Sequence, residues 1–362
     1  MKAHTALVRY RGRPAAGLHV QACSCTPPGR RQLITALACA LIGGHGVAAR
    51  PARKVYRVGL VSAATPLADT LGLAPLNPSA RAFLQGLREL GYVEGHNLVL
   101  ERRSAEGRFE RIGDIVAELV RLRVDVIVTT STPGARAAQA VTSALPIVMA
   151  TSFDPVEQGV VQSLARPGGN VTGLALAVGP GIEAKRLQLL KTMLPSVSRV
   201  AYLIGKGQDH DSDAGGAVSV RATARALGVN LLMVEYTPRR YRDAFVEIER
   251  VGAEALFIAS SPTAYAEGSL IVGFASRAHL PSTFPFREAV EAGGLMSYGV
   301  NIVESFRRAA YYVDKVLQGV QPADLPIEQP TRLELVINLK AAQTLTLTVP
   351  RSLLLRADHV IR

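Results

Sequence analysis

Downstream of Lys54 the chain alternates short β-branched apolar runs with longer stretches whose apolar residues recur every three to four positions. The first kind of run reads as a buried strand and the second as an amphipathic helix. In the first half the pattern predicts strands at 56–61, 97–101, 124–129 and 146–150. It predicts helices at 79–90, 109–122 and 133–141, with Phe83, Leu84, Leu87 and Leu90 on the inner face of the first. Phe109, Ile112, Val116, Leu119 and Val120 take that place on the second. Turn formers then cluster at Arg166-Pro167-Gly168-Gly169-Asn170 and the alternation restarts. The second half predicts helices at 183–194, 216–227, 239–251 and 263–278. Strands fall at 199–204, 230–235, 255–259, 281–285 and 294–298. Alternation of this kind implies an α/β fold with parallel sheets. The repeated grammar implies two doubly wound lobes with a cleft and hinge between them, joined near 168–173 and 298–301.

On this reading residues 55–170 and 299–322 make the first lobe, because the long helix at 302–317 returns to it, and 171–298 make the second. Residues 323–362 hold a proline-containing linker (323–330), a strand at 333–337 and a tail, with no lobe assigned.

The segment 124–173 says most about function. Its two strands end in Ser131-Thr132-Pro133-Gly134 and Ser152-Phe153-Asp154-Pro155. Ligands of open parallel sheets sit at the carboxyl ends of the strands. Thr132 as N-cap with Pro133 at the first helical position would start a helix there. Its unpaired N–H groups suit an anionic group such as a carboxylate.

Charge and cysteine bear on the amino-terminal segment. Residues 1–49 carry six basic residues and no acid, which leaves 35 basic against 29 acidic residues in the remainder of a chain whose net charge is +12. That remainder is ordinary for a soluble domain, and no basic run interleaved with aromatics suggests nucleic acid. Arg30-Arg31 precedes an apolar run at 33–42 and then Val47-Ala48-Ala49, as in an export signal cleaved near Arg50. Twin-arginine and general secretory routes both fit. The apolar run is too short to span a bilayer. Cys23, Cys25 and Cys39 all lie in this leader, so the mature chain needs neither disulfide nor thiolate chemistry.

Catalytic chemistry finds little support. His96, His210, His279 and His359 form no spaced motif, and His96, His279 and His359 read as solvated residues. No G-x-S-x-G elbow, P-loop or dinucleotide fingerprint is present. Asp209-His210-Asp211-Ser212-Asp213 has alternate oxygen donors but lacks the glycine and glutamate of a calcium loop, so it reads as a polar loop. No metal, cofactor or catalytic residue is expected.

The run 83–97, FLQGLRELGYVEGHN, resembles a signature of the ABC transporter substrate-binding proteins of the tryptophan-binding type. Leu145-Pro146-Ile147-Val148, Asp154-Pro155-Val156, the run 163–173, Ala323-Asp324-Leu325-Pro326-Ile327-Glu328 and Leu335-Val336-Ile337-Asn338 match the same family, over about 57–362. The resemblance implies a type I periplasmic binding fold that closes on a small molecule, an amino acid or another small carboxylate. It implies a periplasmic monomer that delivers its ligand to an inner-membrane permease. By the same resemblance Thr132 and Pro133 hold a carboxylate, Asp154 takes an amine or another donor, and Tyr298 and Gly299 lie at the lobe crossing. Ser62, Ser261 and Phe286 are further ligand contacts. Two other classes remain: a ligand-sensing regulatory domain on the same lobes, which would need an amino-terminal helix-turn-helix, and a soluble α/β enzyme. The loops at 63–78 and 205–215 depart from the family pattern and border the expected cleft, so an aromatic amino acid does not follow from the resemblance alone.

Overall fold

The computed structural model describes residues 54–176, 181–206 and 217–362. The leader at 1–49 with its cysteines, and the acidic loop Asp209–Asp213, lie outside these residues.

The first sheet has the order β2-β1-β3-β4-β5, with every pairing parallel. Its strands are β1 (Tyr56–Ser62), β2 (Leu98–Ser104), β3 (Val126–Thr129), β4 (Ile147–Met149) and β5 (Val171–Gly173). A short helix α1 (Leu67–Thr70) lies in the loop after β1, and α2 (Pro78–Glu89), α3 (Ile112–Arg121) and α4 (Thr132–Val141) join the strands. Gly173 ends β5 at φ +128, where an added Cβ would stand 2.2 Å from the Met149 carbonyl oxygen. Only glycine allows that backbone approach.

The second lobe begins with α5 (Ile182–Met193), β6 (Arg199–Gly205), α6 (Ala217–Ala226), β7 (Asn230–Tyr236), α7 (Arg242–Arg250) and β8 (Ala255–Ile258). It continues through α8 (Pro262–Ala266), α9 (Gly268–Arg277), β9 (Ser282–Phe284), α10 (Arg287–Glu291) and β10 (Met296–Gly299). The long helix α11 (Ile302–Leu317) follows, then β11 (Glu334–Asn338), α12 (Leu339–Thr344), α13 (Arg351–Leu354) and β12 (His359–Ile361). The second sheet has the order β12-β11-β10-β9-β8-β6-β7, with β11 antiparallel to β10.

Each sheet is covered on both faces. One core of the first lobe gathers Phe83, Leu84 and Leu87 of α2 with Phe306, Ala310 and Val313 of α11, so the long helix packs on this lobe. Gly86 lets the two helices meet: a Cβ there would lie 2.8 Å from the Arg307 carbonyl oxygen. The opposite face holds Ile112, Val116 and Leu119 of α3 with Ala135 and Ala138 of α4. Burying each such large side chain stabilises the fold by about 1.5–3 kcal/mol. Two expected inward residues are instead exposed. Leu90 is the C-cap of α2, and Val120 is turned off the line that Leu119 occupies.

Several boundaries differ from the pattern. Val171–Gly173, assigned by sequence to the second lobe, pairs with β4 in the first sheet. The strand at 333–337, left without a lobe, is β11 of the second sheet, and the tail adds α12, α13 and β12 to the same lobe. The helix expected at 263–278 is broken at Glu267 into α8 and α9. The described residues thus change lobe three times: between Leu176 and Ile182, between Gly299 and Ile302, and between Ile327 and Glu334. Next to the third passage Glu328 runs beside the end of β5, with Ala175 N–H donating to its carbonyl at 2.9 Å.

Candidate functional site

In the first sheet β1 and β3 are neighbours while their successors β2 and β4 lie on opposite sides. A crevice opens at the carboxyl ends of strands at such a switch point. Ala64 and Thr65 after β1, Thr130 and Ser131 after β3, and Thr151, Ser152 and Phe153 after β4 line it, with Leu176 beside them. Ser261, Pro262 and Tyr265 of the α8 region and Phe286 before α10 form the facing wall, and Ile302 and Phe306 of α11 close the base. The space between the walls, mouth included, is about 470 Å³.

The two walls are built alike. Ser131 precedes α4 in extended conformation (φ −166, ψ 156), and its side chain accepts the Gly134 N–H at 3.1 Å. Ser261 precedes α8 at φ −160, ψ 159 and accepts the Ala264 N–H at 2.9 Å. A serine N-cap thus turns each chain out of its strand, and a proline follows within two residues. After the next strand of each lobe comes an aromatic ring, Phe153 after β4 and Phe286 after β9.

The hydroxyls decide what the cleft can bind. Thr130 Oγ1 accepts the Ala63 N–H at 2.9 Å, and Ser131 Oγ accepts that of Gly134, so each can still donate its own O–H. Thr151 Oγ1 donates to the Thr130 carbonyl and Ser152 Oγ to that of Leu174, both at 2.9 Å, which leaves their lone pairs to accept. No lining side chain carries a formal charge. Aromatic rings together with hydroxyl donors and acceptors suit a small molecule that is apolar at one end and polar, but neutral or zwitterionic, at the other.

Contacts between the lobes surround this space. Tyr265 and Ser79 of α2 share a hydrogen bond of 2.5 Å between hydroxyls. The Tyr265 ring meets Phe286 edge-on at 5.4 Å. Burial, and then the nearby Glu288 carboxylate, push the Tyr265 hydroxyl above the usual tyrosine range, so it stays protonated. Glu288 is itself pushed up to about 7, first by burial, and neither of its carboxyl oxygens has a hydrogen-bond partner. Farther out, Arg239 lies 3.3 Å from Glu106 across the lobes.

Of the residues singled out by sequence, Ser261 and Phe286 line the cleft. Ser62 is buried at the end of β1 and does not line it; Ala64 and Thr65, just beyond, do. Thr132 is not the N-cap. The cap is Ser131, and the buried Thr132 hydroxyl donates to the Phe153 carbonyl at 2.9 Å while accepting the Phe153 N–H at 2.8 Å. It fixes the turn that carries Phe153. Pro133 is exposed in the first turn of α4, away from the lining. Asp154 accepts the Glu157 N–H at 3.0 Å and caps its own turn at φ 35, outside the lining. Tyr298 packs against the second lobe's core and pairs with Leu335. Gly299 sits at the second passage, where a Cβ would meet the Pro285 carbonyl oxygen at 2.1 Å. The sequence reading missed Thr130, Ser131 and Tyr265 as cleft residues. His96, His279 and His359 are exposed, and among the described residues no three His, Cys, Asp or Glu side chains gather as a metal site.

Residues 76–361 match the family of ABC transporter substrate binding proteins. A tyrosine-binding protein of Clostridioides difficile is 24% identical over 300 residues, covering 78% of this chain and 82% of the relative. Among solved structures, a conserved domain protein from Vibrio cholerae is similar, at 27% identity and a TM-score of 0.73. That match covers 85% of this chain and all of the other. An ABC domain from Streptococcus pneumonia, solved in complex with L-Trp, matches with a TM-score of 0.70 at 24% identity, over 84% of this chain and 100% of its own.

Proposed function

Since the chain belongs to the ABC transporter substrate-binding protein family, we propose that it is the extracytoplasmic solute receptor of an importer, capturing a small amino acid-like carboxylate by closing its lobes and delivering it to the permease. The reading rests on the cleft itself: two serine-capped turns and two phenylalanines face one another across uncharged walls. A ligand carboxylate is received by the Thr130 and Ser131 hydroxyls beside the N-terminus of α4, where the helix dipole favours negative charge. This replaces the role expected of Thr132, whose hydroxyl is committed to Phe153. The ligand side chain lies among Phe153, Phe286 and Phe306. The tyrosine-binding relative and the tryptophan-bound neighbour support an aromatic amino acid as the first ligand to try.

Hinge closure is the recognised way in which two lobes capture a solute, and the Tyr265–Ser79 bond is a link it would make. The protein acts as a monomer, exported by its amino-terminal signal. No reaction is assigned to it: its relatives are binding proteins. Thermal-shift and calorimetric titration with L-tryptophan, L-tyrosine, L-phenylalanine, L-leucine and their decarboxylated amines tests the reading, because a ligand that binds only the folded state raises its apparent stability. Amino acids are expected to bind and the amines not. Equal binding of an amino acid and its amine would remove the carboxylate from the account, and silence from every amino acid would reject the ligand class.

A further inference from the structure

The second-lobe wall is held from behind by charges that do not touch the cleft. Glu183 and Arg186 lie in the first turns of α5, immediately after the first passage between lobes. Both are buried, and Arg186 has no exposed surface at all. Arg186 Nη2 lies 3.1 Å from Glu183 Oε1 and donates to the Ile258 carbonyl at 2.6 Å. Its Nη1 is 3.3 Å from Ser260 Oγ, and the guanidinium rests on the Phe257 ring at 4.5 Å. Glu183 Oε1 also accepts the Ser260 N–H at 2.9 Å, and its Oε2 accepts the Tyr202 hydroxyl. Arg186 Nε has no partner. The pair therefore grips the last residue of β8 and the residue that precedes the Ser261 cap.

A buried ion pair is poorly explained by stability, because well-packed apolar side chains of similar volume do as well or better. What this pair does fix is direction: the Ile258 carbonyl and the Ser260 N–H and hydroxyl each have a charged partner. We propose that Glu183 and Arg186 are positioning residues that hold the Ser260–Ser261 turn in its ligand-facing geometry and tie that turn to the first interlobe passage through α5. The proposal rests on the reading of the cleft as the ligand site. α5 and the turn then move as one piece, so a ligand seated against Ser261 acts directly on the element that leaves the hinge.

The test pairs two readouts on the full-length protein: amide hydrogen exchange over 260–265, and affinity for whichever of L-tryptophan and L-tyrosine the parent binds better. In Glu183→Leu/Arg186→Met the melting temperature is expected to fall, because the Tyr202 hydroxyl, the Ile258 carbonyl and the Ser260 N–H lose their partners in the pair. Exchange at Ala264, whose N–H is bound by the Ser261 cap, is expected to speed up more than that of the β8 amides, and affinity to fall by about tenfold or more. Parent-like exchange in a folded double variant overturns the positioning role. Faster exchange with parent-like affinity overturns its link to the cleft. Should the double variant not fold, Arg186→Lys keeps the charge but cannot fork between the Ile258 carbonyl and Ser260. It is expected to show faster Ala264 exchange, and parent-like exchange there also overturns the proposal. If the parent binds neither amino acid, tryptophan and tyrosine fail as its ligands while the exchange measurement still decides the positioning role.

Discussion

Ser79, in the first turn of α2, and Tyr265, on α8 of the opposite lobe, join hydroxyls at 2.5 Å beside the cleft. Two chain segments 186 residues apart are thereby linked across the lobes. Tyr265→Phe keeps the ring contact with Phe286 and removes only this bond. A hydrogen bond of this kind contributes about 0.5–1.5 kcal/mol net, so ligand affinity should fall roughly three- to tenfold with little change in melting temperature. Calorimetric titration alongside a thermal melt checks it. An unchanged affinity would mean that the bond plays no part in capture.

The two phenylalanines of the cleft should separate binding from stability. Phe286 is almost fully buried and belongs to the first lobe's core although its chain segment lies in the second, whereas Phe153 is only partly buried against that core. Phe286→Ala should therefore cost about 3–5 kcal/mol of stability, as large core truncations do. Phe153→Ala should cost much less while still weakening binding, because its ring lines the cleft. Urea unfolding and ligand titration on both variants decide the matter. Equal stability losses would contradict the assignment.

These two positions also show what the sequence could and could not reveal. Helix α11 was legible end to end, because Ile302, Phe306, Ala309, Ala310, Val313 and Val316 form one stripe behind the Asn301 cap. The register of the Ser131-Thr132 cap was not. Both residue types cap helices, and the choice is made by the Phe153 backbone, which occupies the Thr132 hydroxyl from 21 residues away. Strand β12 was invisible for another reason: three exposed or half-buried residues at a sheet edge carry no alternation to read. Ser261 and Phe286 came from the family resemblance, and both line the cleft. Tyr265 lies in the first turn of the helix expected from 263, where nothing in the sequence separates it from a packed aromatic.

At the second passage between lobes the backbone leaves no room for a side chain. A Cβ on Gly299 would lie 2.1 Å from the Pro285 carbonyl oxygen, so Gly299→Ala must push β10 away from the turn that carries Phe286. Overpacking of this kind costs about 1–3 kcal/mol. Because the displaced turn leads into the cleft wall, affinity should fall as well. A denaturant midpoint equal to the parent's would show that the passage yields without cost.

Glu288 gives the stability of the protein a pH dependence of its own. Its carboxyl is pushed up to about 7 from 4.5, chiefly by burial, with Glu291 and Glu334 adding repulsion and Arg287 opposing. Tyr265, neutral and above its usual range, is packed nearby. Between these two values the folded protein keeps a proton that the unfolded chain has released, so stability falls as pH rises. The contribution is intact below about pH 4.5 and fully lost above about pH 7, and the difference is worth about 3 kcal/mol. Glu89, Glu118, Glu254 and Asp358 behave oppositely, because partners hold their pKa values down and their contribution is lost only in acid. The difference curve between parent and Glu288→Gln cancels those groups. Urea unfolding at pH 5, 6, 7 and 8 should show the variant gaining on the parent step by step as pH rises. Parallel curves across that range would mean that Glu288 is ionised in the folded protein throughout, with a partner that offsets its burial.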